Sequence, residues 1–444
     1  MTNYKERQMS DTVKNYIKFI SGNKTERECV KSTIELAEKA GFKNIEEKDS
    51  LVAGDKVYIS IYGKSIVLFE IGTTPIEEGM NILCAHIDSP RLDLKMKPLY
   101  EKNGIVYLNT HYYGGIKKYQ WVTLPLAIHG VIAKKNGEVI EVCMGEDDDD
   151  YTFAISDILP HIAQEQMKKS ASDFIPGENL DLVAALNRKE KKDEGKKAVL
   201  DILEKRYGME EDDFLSAELE VVPAGKAKYL GLRKDMVIGY GQDDRVCAYT
   251  SLEAVLEHKG AKRTCCCLLV DKEEIGSVGA TGMDSLLLEN ALYEVLSRFG
   301  GYDAIKVRRS LKNSYMLSSD VNSALDPLNM DLYDEENSSK LGGGIVFNKY
   351  TGSRGKGGAS DANAEYIAKL RKILDEREIT FQMADMAKVD VGGGGTIAKY
   401  AAWYGMSVID SGVAVLSMHS PFEITSTFDI ETARKCYSAF LDIE

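Results

Sequence analysis

Two adjacent glutamates, Glu273 and Glu274, stand just beyond the apolar run Cys265–Val270, in the stretch Val270-Asp271-Lys272-Glu273-Glu274-Ile275-Gly276-Ser277. Neighbouring residues on an extended chain point to opposite sides. One carboxylate is therefore free to bind a metal ion while the other, carried by the turn, reaches a water that the ion activates. That division of labour is hydrolytic chemistry. The same arrangement, a polar ligand type directly after an apolar run, recurs along the chain. His86 and Asp88 follow Ile82-Leu83-Cys84-Ala85 and lie two residues apart on one face of a strand. An imidazole there can bind metal while the carboxylate orients it or a neighbouring ligand. Gln242-Asp243-Asp244-Arg245 follows the run 237–241, Ser319-Asp320 follows Tyr315-Met316-Leu317-Ser318, and His419 follows Val415-Leu416-Ser417-Met418. Taken singly, a His-x-Asp pair fits a structural role equally well, and carboxylates at a strand-to-helix junction are common N-caps.

Five such junctions in one chain point to a shared purpose. In open α/β sheets, functional groups gather at the carboxyl ends of the strands, so His86, Asp243, Glu274, Asp320 and His419 are expected to converge. Two histidines and three carboxylates suit a pair of Zn²⁺, Co²⁺ or Mn²⁺ ions. Two ions ~3.5–4 Å apart need a bridging carboxylate, and Asp243 is the candidate.

The elements that must position these residues read as an α/β domain with an insertion. The pattern predicts helices over 11–20 and 26–40 and strands over Lys56–Ile61, Ser65–Glu70 and 81–85. From about residue 96 strands and turns take over: 106–113, 126–133, the Asn136-Gly137 hairpin signal and 139–144. The acidic run 146–150 and the mixed-charge segment 188–197 read as solvated surface. Near residue 236 helix and strand alternation resumes, with helices expected over 251–258, 283–299, 362–378 and from 430, and strands over 265–270, 314–318, near 381 and over 413–417. The expected organisation is a catalytic α/β domain with a mixed sheet (1–95 and 234–444) interrupted by a β-rich domain over 96–233.

Length and composition agree. At 444 residues the chain exceeds a single core, which stops growing at about 250–300 residues. Hydrophobic content of 44% and charged content of 28% are ordinary for a globular protein, and no apolar run approaches the ~18 residues that cross a membrane. A net charge of −14 argues against nucleic acid. The polar start, residues 1–8, lacks the apolar core of a secretory signal, so a cytoplasmic protein is expected. The eight cysteines include three in a row, Cys265-Cys266-Cys267, and no Cys-x-x-Cys pair, so they read as small buried hydrophobes. The glycines of 352–358 lack the spacing of a phosphate loop.

The order Ala85-His86-Ile87-Asp88-Ser89-Pro90, Asp243-Asp244-Arg245, Asp271 to Ser277, Ser319-Asp320 and Ser417-Met418-His419-Ser420 resembles the aspartyl aminopeptidase family of di-metal exopeptidases, nearly end to end. The resemblance implies one ion held by His86 and Asp320, a second held by Glu274 and His419, Asp243 between them, Glu273 as general base and Asp88 supporting a ligand. It further implies that the insertion serves dimerisation and as a lid, and that the chains assemble as tetrahedral homododecamers. His161, in Pro160-His161-Ile162-Ala163, matches a histidine that enters a neighbouring subunit's active site. The chain departs from the family at Thr123-Leu124-Pro125-Leu126, after Tyr113-Gly114-Gly115, where a charged Asp-Arg-Asp-Leu segment is usual. It departs again at Ser323 and Asp326, where histidines are usual. Both positions bear on subunit contact and substrate pocket, so the expected substrate is a peptide with an acidic or neutral amino-terminal residue. Gly392-Gly393-Gly394-Gly395-Thr396 falls where the family has a Gly-Ser-Thr turn and reads either as a substrate-contacting loop or as a plain turn. Two alternatives share these motifs: a related tetrahedral aminopeptidase, against which the longer insertion and Ser-Met-His-Ser count, and a non-catalytic shell, which would lack a ligand or the base.

Overall fold

The computed structural model describes residues 10–147, 149–188, 191, 193–299, 301 and 303–444. The polar start and parts of the two charged segments lie outside these. The chain forms two units, one comprising residues 1–88, 227–418 and 423–444, the other Ser89–Lys226 with His419–Phe422.

The first unit is built on a mixed sheet of nine strands among the described residues. At its centre Cys265–Val270, Asn81–His86, Tyr315–Ser318 and Ser407–Gly412 run parallel, in that order. Ser65–Glu70 pairs antiparallel with Cys265–Val270 and forms a hairpin with Lys56–Ile61. Alternate residues of the central strands enter two separate cores. Leu83, Ala85, Cys265, Cys267 and Leu269 face one side, with Tyr16, Val246, Tyr366 and Phe440. Ile82, Cys84, Cys266, Leu268 and Val270 face the other, with Leu288, Leu292, Val307 and Ala398. Helices thus cover both faces, which is why these strands read as unbroken apolar runs rather than alternating ones. The consecutive cysteines are simply small residues divided between the two layers, all three fully buried and unpaired.

Local signals fix the helices. Glu26–Lys39 opens on a capping box in which Thr25 Oγ1 accepts from the Glu28 amide at 3.2 Å and Glu28 Oε2 accepts from the Thr25 amide at 3.1 Å. Gln242–Glu257 is broken at its head: Asp243 and Asp244 have non-helical backbone angles and are joined by a cis peptide. The non-helical angles present those two side chains at the end of the helix rather than along its side.

Among the described residues, the second unit is an antiparallel sheet of seven strands with the helix Glu194–Tyr207. Asn136-Gly137 turns the hairpin between Leu126–Ala133 and Val139–Met144, with Gly137 at φ +90°. The unit's first strand, Arg91–Lys102, starts before residue 96, and its outgoing chain leaves at Lys226 rather than 233. Lys228–Leu230 and Met236–Gly239 instead pair within the first unit, against each other and against Glu423–Ser426.

Candidate metal centre

Four of the expected ligand positions meet at the carboxyl ends of the parallel strands. His86 ends its strand, Asp320 lies two residues past Tyr315–Ser318, Glu274 lies in the turn after Cys265–Val270, and Asp243 stands at the broken helix head. Ligand atoms of His86, Asp243 and Glu274 lie within 4.8 Å of one another, and so do those of His86, Asp244 and Asp320. His86 Nε2 is 3.1 Å from Asp243 Oδ1 and 4.0 Å from Asp320 Oδ1. Its Nδ1 is 3.1 Å from the Asp88 carbonyl oxygen. A proton on Nδ1 would donate to that carbonyl and leave Nε2 as the free lone pair facing the carboxylates, the arrangement of a ligating histidine.

Asp88 is the hub. Its Oδ1 accepts the Glu273 amide at 3.1 Å and its Oδ2 accepts the Glu274 amide at 3.2 Å, while its carbonyl meets the His86 ring. One fully buried residue thus ties the ligand histidine to the turn that carries both glutamates. The turn itself is tightly wound. Lys272, Gly276 and Ser277 all have positive φ, and the Ser277 amide donates back to the Lys272 carbonyl at 2.7 Å. Tyr400 Oη donates to the Gly276 carbonyl at 2.9 Å.

The electrostatics are those of a site built for cations. Burial raises the Asp244 carboxyl well above its ordinary range, and the neighbouring Asp320 and Asp243 add to this. Burial also raises Asp320, reinforced by Glu273, Asp243 and Asp410. Burial disfavours a charged His86 ring, but the carboxylates of Asp243 and Asp88 outweigh it and hold its pKa well above the usual imidazole value. Like charges crowded away from water are tolerated when protons or metal ions neutralise them. Asp244 Oδ1 is buried without a hydrogen-bond partner among the described residues. A donor set of one imidazole and several carboxylates fits Zn²⁺ and similar divalent ions.

Two further carboxylates join the cluster, Asp244 from within the Asp243-Asp244-Arg245 motif but not expected as a ligand, and Asp410, which no motif marks. Asp244 joins a ligand group of its own, its Oδ2 accepting the His86 amide at 3.3 Å. Asp410, inside the strand Ser407–Gly412, is buried beside Asp320, and burial pushes its pKa up to about 6 against the hydrogen bonds from Thr396 and Ser318. Thr396 Oγ1 reaches it at 2.6 Å, so the glycine-rich turn is tethered to the site's floor. In that turn Gly393–Gly394 pairs with Gly352–Ser353, and a side chain on Gly393 would strike the Gly352 carbonyl oxygen at 2.0 Å.

The other two histidines expected at the site, His419 and His161, belong to the second unit. His419, at φ +62°, holds its Nδ1 2.8 Å from the Gly115 carbonyl oxygen. His161 is exposed in the short 3₁₀ turn Pro160–Ile162. No helix among the described residues is long and apolar enough to cross a membrane.

Known proteins resemble the chain over almost its whole length. A family model described as aminopeptidase I zinc metalloprotease (M18) matches residues 19–441. The sequence is 56% identical to a probable M18 family aminopeptidase 1 of Clostridium acetobutylicum, over 98% of this chain and 94% of the relative. The crystal structure of an M18-family aminopeptidase from Thermotoga maritima superposes with a TM-score of 0.93 at 42% identity, covering 97% of this chain and 96% of that one. An S. cerevisiae mApe1 dodecamer shares the fold, with a TM-score of 0.77 at 22% identity over 97% and 96% of the two chains.

Proposed function

The chain belongs to the M18 family of zinc metalloprotease aminopeptidases, and from that premise we propose which of its residues release the amino-terminal residue of a peptide. Two divalent ions, zinc in the first place with Co²⁺ or Mn²⁺ as substitutes, would be held by His86 and Asp320, by Glu274 and His419, and by Asp243 shared between them. When bound, the ions polarise the scissile carbonyl and lower the pKa of the attacking water. Glu273 accepts that water's proton and passes it to the leaving amine, a carboxylate acting first as base and then as acid. Asp88 keeps Glu273 and Glu274 in register through their amides. His161, entering from a neighbouring subunit, donates a hydrogen bond to the developing oxyanion; a His161→Ala enzyme with unaltered turnover would remove it from the mechanism.

The observation that carries this reading is the Asp88 hub, because it makes a base candidate and two ligand candidates one rigid object. Substrates are peptides with an acidic or neutral amino-terminal residue. Self-association follows the family, with a homododecamer built from dimers as the expected state, supported by the fold shared with the yeast dodecamer. Eight unpaired cysteines, all but Cys143 buried, suit a reducing cytoplasm. The test is to strip the enzyme with a chelator, restore Zn²⁺, Co²⁺ or Mn²⁺, and assay Asp-, Glu-, Leu-, Met- and Lys-substrates. Metal-dependent release is expected; folded, metal-loaded protein that releases none of them would overturn the reading.

A further inference from the structure

Behind the Glu273-Glu274 turn lies a buried ion network that the mechanism above does not use. Lys64 Nζ is 3.0 Å from Glu26 Oε1 and 3.8 Å from Asp271 Oδ2. Both carboxylates are fully buried, and the lysine side chain retains only 13% of its exposure. We propose that Lys64 is a positioning residue for catalysis, acting through Asp271 to set the turn that presents Glu273 and Glu274.

Asp271 is where the central strand ends and the turn begins. Its Oδ1 accepts the Lys272 amide at 2.8 Å and its Oδ2 accepts Thr281 Oγ1 at 2.8 Å, so it holds both sides of the turn's base. Its own amide is shared between the Thr281 carbonyl and Ser65 Oγ. Lys272 sits at φ +69°, a conformation that a bulky residue keeps only when its surroundings impose it. The Asp271 carboxylate supplies that constraint, and it needs a cation to remain charged in a buried position beside Glu26 and Asp88. The Lys272 ammonium, at 3.4 Å, is the more exposed of the two lysines facing it, at 27%.

Lys64 arrives from a distant hairpin. The left-handed pair Tyr62-Gly63 reverses the chain, the Lys64 amide donates to the Ile61 carbonyl at 3.0 Å, and Ser65 begins the strand that pairs with Cys265–Val270. Strand pairing therefore delivers an ammonium group and a serine hydroxyl together to the base of the catalytic turn. Removal of the cation leaves two buried carboxylates opposed. The turn is the element free to relax, because Asp271 is its anchor.

The inference rests on Glu273 being the base, so Glu273→Gln is assayed alongside. Zinc-loaded, assembled Lys64→Met enzyme is expected to lose roughly 10- to 100-fold in kcat. KM should stay within about threefold and zinc content should be unchanged. Amide exchange should quicken in the peptide spanning 271–282 and nowhere else, and Lys64→Arg should recover most of the rate. Lys64→Met/Glu26→Gln removes the opposing carboxylate along with the lysine and covers the case in which Lys64→Met alone fails to fold; Asp271 still lacks its buried cation, so kcat should rise above that of Lys64→Met yet stay below wild type. Wild-type kcat in folded Lys64→Met or Lys64→Met/Glu26→Gln, with Glu273→Gln inactive, overturns the role of Lys64 and leaves Glu273 standing. Wild-type kcat in Glu273→Gln overturns the base assignment itself.

Discussion

Replacing Asp88 by asparagine changes one oxygen to an amide nitrogen and removes a charge, at a residue that contacts no substrate in this account. In the native enzyme each carboxylate oxygen accepts one backbone amide, from Glu273 at 3.1 Å and Glu274 at 3.2 Å. Asparagine keeps one acceptor and turns an NH₂ toward the other amide. The change forfeits one charge-assisted hydrogen bond, worth roughly 1.5–3 kcal/mol, and leaves a buried N–H unsatisfied at about 1–3 kcal/mol. The turn relieves part of that by moving, so about 3 kcal/mol is a fair expectation for the loss at the transition state. At 1.36 kcal/mol per tenfold this corresponds to roughly 150-fold in kcat. The assay is steady-state release from a chromogenic aminoacyl substrate at saturating zinc, with metal content measured on the same preparation. A zinc-replete Asp88→Asn enzyme within threefold of wild-type kcat would refute the claim that this carboxylate aligns the base.

Gly412→Ala should disable the site from behind. A side chain there would lie 2.0 Å from the Asp320 carbonyl oxygen and 2.5 Å from its carbon, so the backbone bearing Asp320 must shift; zinc affinity should fall at least about tenfold, and an unaltered competitive chelator titration would contradict this. Away from the site, the buried Glu70–His258 pair, 2.8 Å apart, should shape stability against pH. The hydrogen bond to Glu70 raises the His258 pKa against the effect of burial. Burial opposes ionisation of Glu70, but its bond to His258 and the nearby Lys56 lower its pKa overall. The histidine's share is thus complete below its unfolded pKa of about 6.5 and is lost as pH rises through the higher folded value; the glutamate's share is present above its unfolded pKa of about 4.3 and is lost as pH falls through the lower folded value. Thermal scans should show a decline from pH 6 to 8 that His258→Gln lacks; parallel curves for the two proteins would rule the pair out as its source.

The catalytic layer was legible because its strands are covered on both faces. Asn81–His86 and Cys265–Val270 are fully buried, so each shows in the sequence as an apolar run with a candidate ligand at or just beyond its end. Asp410 escaped that reading because it lies within its strand, among the small residues of Ser407–Gly412, and only tertiary packing brings it beside Asp320. Asp243 and Asp244 were visible as a pair, but the broken helix head that turns both inward was not. The second unit's first strand, Arg91–Lys102, begins ahead of the change in sequence character near residue 96. That strand carries Pro98 within an irregularity between Leu94 and Leu99. The mixed-charge segment 188–197 reads as solvated surface, and its end enters the helix Glu194–Tyr207, which buries Leu203. His161 stands exposed in a short turn with no local signature, and only the family resemblance singled it out.

The most direct test of the metal assignment is anomalous diffraction at the zinc edge from crystals of the zinc-loaded enzyme. Two peaks ~3.5–4 Å apart, with Asp243 contacting both, His86 and Asp320 on one, and Glu274 and His419 on the other, are the expected result. A single peak at full occupancy, or a pair bridged by Asp244 in place of Asp243, would contradict the account.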